Sequence, residues 1–263
     1  MKIIKDFLVF FRNLVWELTD YLRYLVSKAN QRDTILKRLE TDGVMVFPEF
    51  FSEQFCDECI SNINAEVKRN KNVWSDDLGS DHRIFGFEHL SVPAMQFSID
   101  SKINSFSKEY LGYNSKASFV LGAKLVYKPN NAGSGGGWHR DNAIVRQFKA
   151  IVYLNDVGLK NGPFEYIIGS HKFLFKLRQI IRKSPFYETR FNNGSLIVKK
   201  NENSINSIVG KKGTLILVDT KGIHRGRPIE CGDRYALTKY LWQSEIPHHI
   251  RKMLVSNGES HEI

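Results

Sequence analysis

From residue 83 to residue 242 the chain breaks repeatedly into short β-rich segments. That rhythm limits the folds open to it more than any other feature. RIFGF (83–87), SFVLGAKLVYK (118–128), KAIVYLND (149–156), FEYIIGS (164–170), SLIVKK (195–200), TLILVDT (214–220) and RYALTKYLW (234–242) each have the length and composition of a strand. Gly, Asn, Asp and Pro punctuate the gaps, as in NDVGLKNGP. Helical patterns come mostly first: one over 31–41 and one capped by Ser52 that runs to about Lys68, with GVMVFPEF (43–50) as a strand between them. Helices that precede strands rather than alternate with them argue against a parallel α/β sheet and for a sandwich or barrel. One helical stretch, HKFLFKLRQIIRK (171–183), interrupts the strands. The expected division is an N-terminal amphipathic segment (1–37), a β domain (38–247) with a basic helical insertion near 171–190, and a tail (248–263).

Charge narrows the partners. The formal net charge is +10, and the segment 171–212 carries ten basic residues against Glu188 and Glu202. A concentrated positive field favours an anionic partner. The chain shows no recognised nucleic-acid motif, so a small-molecule or carrier-linked anionic substrate is expected before DNA or RNA. The N-terminus reads as one amphipathic helix, with apolar residues at 3, 4, 7, 8, 11, 14, 15, 18, 22, 25 and 26. Charges interrupt it well short of the ~20 apolar residues a membrane span needs. It suits packing on the main domain, dimerisation, or peripheral contact with a membrane surface. Cys56 and Cys59 form a lone C-x-x-C in a helical stretch and read as ordinary helix cysteines. The low cysteine count fits the reducing cytoplasm, with peripheral membrane association the alternative location.

The chemistry concentrates in GGGWHRD (135–141). His139 and Asp141 stand two apart, so an extended chain points both to one face, with Arg140 turned away. The glycines give backbone freedom just before them. Two histidines and one carboxylate with open positions form the facial triad of non-haem Fe(II) oxygenases. The second histidine must come from elsewhere, and His224, just after the strand TLILVDT, is the candidate. Arg234 opens the last strand, and an arginine there can bind a carboxylate in two-pronged fashion. Trp138 either shields such a metal or packs. His171, in GSHK, reads as a turn residue, and His248 and His249 as surface.

The order HRD, NGPFEYIIGSHK, GIHRGRP, GDRYALTKYLW resembles the phytanoyl-CoA dioxygenase family of Fe(II)/2-oxoglutarate oxygenases, and DGVMVFPEFFSEQFCDE resembles its N-terminal entry. The resemblance covers roughly 38–245. It implies a double-stranded β-helix, a jelly roll of two sheets flanked by helices. It implies His139, Asp141 and His224 on iron, Arg234 on 2-oxoglutarate, and O2 as the second cosubstrate. GAKLVYKP falls where the family lines the cosubstrate pocket, which adds Lys124 and Tyr127; Tyr153 follows on the next strand. Phe164 and Ile168 depart from the family's usual Leu and Pro. Ala236 stands where related oxygenases carry Ser or Thr, which leaves the second partner of the distal carboxylate unassigned. Halogenating relatives have a small residue in place of Asp141, so hydroxylation is expected over halogenation, with desaturation, epimerisation or ring formation left open, on a metabolite, a sugar or a lipid-linked glycan. The alternative is a catalytically silent jelly roll that binds metal or carbohydrate.

Overall fold

A computed structural model describes residues 34–255 apart from 113–114, 182–187, 193 and 243–244, together with positions 11, 14, 15, 17–19, 21, 22 and 26. Most of the expected N-terminal helix, the basic residues Arg182 and Lys183, and the last eight residues therefore lie outside the described residues.

Two antiparallel sheets face each other. The larger contains β1 (Val44–Phe47), β2 (Trp74–Ser75), β3 (Asp81–Phe85), β4 (Ala117–Val126), β5 (Phe148–Tyr153), β8 (Leu215–Asp219) and β10 (Asp233–Trp242), in the order β1-β8-β5-β10-β4-β3-β2. The smaller contains β6 (Phe164–Ile167), β7 (Ile205–Ile208) and β9 (His224–Gly226), in the order β7-β6-β9. The chain is mainly β with flanking helices, and the pair of sheets is a double-stranded β-helix.

The period-2 alternation of each strand divides its side chains between two cores. Ala150 and Val152 of β5, Leu215 and Leu217 of β8 and Leu237 of β10 face helices α1 (Thr34–Asp42), α2 (Glu53–Arg69), α3 (Val92–Ile99) and α4 (Ser101–Leu111), where Leu39, Cys59, Ile63 and Phe97 seal the layer. Ile151, Tyr153, Ile216, Val218 and Ala236 face Phe164, Tyr166 and Ile208 of the small sheet. Cys56 and Cys59 belong to the helix-side core, and burial pushes the Cys56 thiol up to about 11. Both are packing residues.

Several elements depart from the sequence reading. Ser52 caps α2 as expected, its side chain accepting from the Phe55 N–H. Helices α3 and α4 appear where no element is assigned from sequence; Ser91 and Asp100 cap them. SLIVKK is not a strand. Ser195 accepts a hydrogen bond from the Val198 N–H and starts a short helix, α6 (Leu196–Lys199), after α5 (Phe173–Ile181). The local cap, with Ile197 and Val198 buried against Trp138, outweighs the strand preference of the segment. Trp138 therefore packs. The described part of the expected tail also packs: Ile250, Met253 and Leu254, around α7 (His248–Arg251), join Ile246 in covering Phe85, Phe119 and Leu121, and the Val255 N–H donates to the Phe85 carbonyl.

At the N-terminus the described positions are helical. Glu17 is buried against the ammonium groups of Lys176 and Lys221, while Phe11, Val15, Leu18, Leu22 and Val26 are exposed. Among the described residues no helix is long and apolar enough to cross a membrane.

Candidate metal centre

His139 and His224 are brought together by backbone pairing. Each donates its N–H to the other's carbonyl, at 2.8 Å both ways, so the two residues sit directly opposite and extend the small sheet beyond β9. Their rings lie 4.3 Å apart between centroids. The Asp141 N–H donates to the Thr220 carbonyl, which sets the third residue two positions on along the same edge. Gly135 matters here. Its φ is +83°, and a Cβ on it would lie 2.3 Å from the His139 ring, so only glycine lets the loop pass beneath the imidazole.

The side chains are aimed. His139 Nδ1 bonds the Gly137 carbonyl at 2.8 Å and His224 Nδ1 bonds the Gly222 carbonyl at 2.9 Å, so Nδ1 carries the proton in both. Each Nε2 is left with its lone pair toward Asp141, at 3.7 Å from Oδ1 for His139 and 4.0 Å from Oδ2 for His224. The three ligand atoms lie within 4.8 Å of one another. Two neutral imidazole nitrogens and a carboxylate oxygen at that spacing are a donor set that one divalent ion could share.

Electrostatics prepares the same atoms. Burial lowers both imidazole pKa values, that of His224 to about 3, so both are neutral at neutral pH. Burial works against the Asp141 carboxylate, but the Lys149 ammonium, then the two imidazoles, outweigh it and hold its pKa well below the usual carboxylate range. The Asp141 main chain is open to solvent, whereas its side chain is only 20% exposed.

These residues line a chamber of about 670 Å³ between the sheets. Arg234 lines it too, 5% exposed, and its Nε and Nη1 have no hydrogen-bond partner among the described residues. Buried, unpaired guanidinium N–H groups facing a cavity are the donor set a carboxylate would satisfy. Gly226 lies beside it: a Cβ there would come within 2.7 Å of Ser134 Cβ and 2.9 Å of Arg234 Nη2, so Ser134 and Arg234 are neighbours across that glycine.

The other sequence candidates fare differently. Tyr153 lines the chamber, but its hydroxyl donates to the Ile208 carbonyl and accepts from the Phe164 N–H, so its proton is already engaged. Lys124 does not reach the chamber. Ala123 and Leu125 face that side of β4; Lys124 points to the helices, where it donates to Asn64 at 2.8 Å and lies over the Tyr235 ring. Tyr127 stands past the end of β4, half exposed and outside the lining. His171 is buried and bonds the Glu40 carbonyl, as a structural residue. His249 is exposed but lies at the chamber's rim.

Sequence reasoning misses Lys149. Its ammonium is 2.5 Å from Asp141 Oδ2. The signal is a lysine in register with Ile151 and Tyr153 on an otherwise apolar strand, hence facing the same side. Arg83, Arg190 and the segment around Ile250 also line the chamber without having been singled out.

A profile of the phytanoyl-CoA dioxygenase family matches residues 39–234. The chain belongs to that family. A non-haem iron and 2-oxoglutarate are the cofactors that go with this membership, and the His–Asp–His group and Arg234 fit them in donor type. Comparison with curated proteins finds no match. Among solved structures, this family member resembles the epimerase SnoN in complex with Fe3+, alpha-ketoglutarate and nogalamycin RO, at TM-score 0.62 and 14% identity over 87% of this chain and 91% of that one. It resembles the carbocyclase SnoK from nogalamycin biosynthesis at TM-score 0.59 and 14% identity, over 89% and 94%. It also resembles HygX from Streptomyces hygroscopicus with nickel, 2-oxoglutarate and hygromycin B bound, at TM-score 0.56 and 16% identity, over 81% and 88%. Likeness at these identities speaks for the fold.

Proposed function

We propose that this phytanoyl-CoA dioxygenase family member is an Fe(II)/2-oxoglutarate-dependent hydroxylase acting on a C–H bond of a small or carrier-linked anionic substrate. One observation carries the reading: His139, Asp141 and His224 share a single chamber with a buried arginine whose N–H donors are unpaired. In this reading the triad holds iron and Arg234 binds the distal carboxylate of 2-oxoglutarate, with the Ser134 hydroxyl as the second partner that Ala236 cannot provide. Iron, 2-oxoglutarate and O2 supply the oxidation, with succinate and CO2 as coproducts.

The chain's own residues prepare and confine that chemistry. Both imidazoles arrive neutral with Nε2 unprotonated, so neither has to lose a proton to become a ligand. Asp141 arrives ionised. Its carboxylate occupies the place that halogenating relatives leave to a halide, which favours hydroxylation over halogenation. Resemblance to an epimerase and a carbocyclase makes the product the point to test, because one scaffold can host several outcomes.

Support for an anionic substrate comes from the lining rather than from the basic segment. Lys176 is buried against Glu17, which turns it away from any substrate. Of the ten basic residues in 171–212, Arg190 alone is placed in the described lining; Arg83 and Lys149 stand there too, but they are paired with Asp81 and Asp141. Phe119 and Tyr240, stacked at 4.7 Å, add an apolar wall suited to a ring or chain.

Anaerobic addition of Fe(II) and 2-oxoglutarate should give the weak visible charge-transfer band of the chelate, and candidate substrates should then be screened for succinate release. Protein that binds neither iron nor 2-oxoglutarate would overturn the oxygenase reading and leave the silent jelly roll. Chelate formation without substrate-dependent succinate from any anionic candidate would overturn the substrate class.

A further inference from the structure

Lys149 is the lining cation that touches a triad residue without belonging to the triad. It sits on β5 opposite Tyr240 of β10 and Val218 of β8, only 7% exposed. Burying an ammonium costs several kcal/mol unless a partner offsets it, and a methionine would pack the same strand position without that cost. Its partners are specific. Nζ stands 2.5 Å from Asp141 Oδ2 on one side and 4.0 Å from the Tyr240 ring centroid on the other. Tyr240 is in turn stacked on Phe119, interplanar angle 7°. The ammonium is thus held between a carboxylate oxygen and a ring that is itself packed in place.

We propose that Lys149 is a positioning residue that confines Asp141 to one-oxygen coordination of the metal. This rests on the oxygenase reading above. A carboxylate can bind an ion through one oxygen or two. A strong charge-assisted hydrogen bond on Oδ2 leaves Oδ1, the oxygen nearer His139, as the ligand. One-oxygen binding would leave the remaining positions around such an ion free for the cosubstrate and for oxygen. Two-oxygen binding by Asp141 would take one of those. Tyr240 backs the ammonium, so the aromatic wall of the chamber and the metal ligand are connected through a single side chain.

The test uses the full chain, loaded anaerobically with Fe(II) and titrated with 2-oxoglutarate. The readouts are the position and intensity of the charge-transfer band and the dissociation constants of metal and 2-oxoglutarate. Lys149→Met should still bind Fe(II), but its affinity for 2-oxoglutarate should fall ~10-fold or more and its band should shift. Lys149→Arg should keep the chelate. Tyr240→Phe, which keeps the ring but loses the hydroxyl that the ammonium also meets, should move a little toward Lys149→Met, and Tyr240→Leu further. A wild-type band and wild-type 2-oxoglutarate affinity in Lys149→Met would overturn the proposal while leaving the oxygenase reading intact. Absence of a band in wild type would sink that reading first, and this one with it. Should Lys149→Met fail to fold, Tyr240→Leu decides, and wild-type behaviour there overturns the positioning role.

Discussion

The large sheet has two faces made from the same strands, and they do different work. On the helix side, Ala150, Val152, Leu215, Leu217 and Leu237 close on Leu39, Cys59, Ile63 and Phe97 in an apolar layer. Lys124, the cation on that side of β4, is tied to Asn64. On the chamber side the alternate positions carry Lys149, Ile151, Tyr153, Arg234, Ala236 and Tyr240. Moving one residue along β5 therefore crosses from a position that contributes stability to one that meets the chemistry. Substitutions on the two faces should accordingly separate in what they damage.

The largest effect belongs to the chamber. His224→Ala removes one of two imidazoles and should lower Fe(II) affinity at least ~100-fold, more than the loss of an outer partner costs. Circular dichroism should show the fold retained, since His224 pairs through its backbone. Retained iron binding would mean the metal sits elsewhere. Next comes Arg234→Met, which on the proposed reading removes a charge-assisted partner of the cosubstrate worth up to ~3 kcal/mol and should weaken 2-oxoglutarate binding about 100-fold. Its counterpart across the sheet is Lys124→Met. That variant should bind 2-oxoglutarate like wild type, and a comparable loss there would contradict the assignment of faces.

How far the sequence shows all this depends on what a periodic pattern can encode. The His-x-Asp spacing puts both residues on one side of an extended chain whatever surrounds them, and His224 and Arg234 lie next to apolar strands that have to be central. The grouping of those four is legible for that reason, as are the sheet-rich architecture and the family. Lys124 is different. Alternation says that it opposes Ala123 and Leu125, but nothing local says which side is the chamber. Lys149 is hidden by the reverse bias, because a lysine in a strand reads as solvent-facing until a buried partner is known. SLIVKK is misread because one serine hydroxyl capping Val198 decides between helix and strand. The covering role of residues 246–255 depends on contacts with Phe85 and Phe119, more than a hundred residues earlier in the chain, which no local pattern announces.

The helix side gives the reciprocal test. Leu217→Ala deletes a fully buried side chain and should cost 2–5 kcal/mol in denaturant unfolding, at the usual price of about that much for a leucine cavity. The folded fraction should still form the chelate with wild-type affinity. A variant that loses 2-oxoglutarate binding along with stability would show that the two faces are coupled through the strand.

His171 sharpens the comparison by contributing a histidine that belongs to neither chemistry nor the sealed layer. Its Nε2 bonds the Glu40 carbonyl at 3.2 Å, which leaves Nδ1 buried without a hydrogen-bond partner among the described residues. Burial lowers its pKa from the ordinary 6.5 to about 4. The unfolded chain therefore takes up a proton between pH 6.5 and 4 that the native state refuses, so stability is complete above 6.5 and is lost as pH falls toward 4. For this one group the loss is at most ~3 kcal/mol. His139 and His224 lose stability in the same direction when no metal is bound, so the informative quantity is the difference between wild type and His171→Gln at each pH. Gln can keep the bond to Glu40 but cannot titrate. Urea unfolding at pH 7 and pH 4.5 should show a smaller drop for His171→Gln than for wild type. Equal drops would mean that His171 is hydrated in solution, and that the seam between α1 and the loop after β6 is more open than its packing indicates.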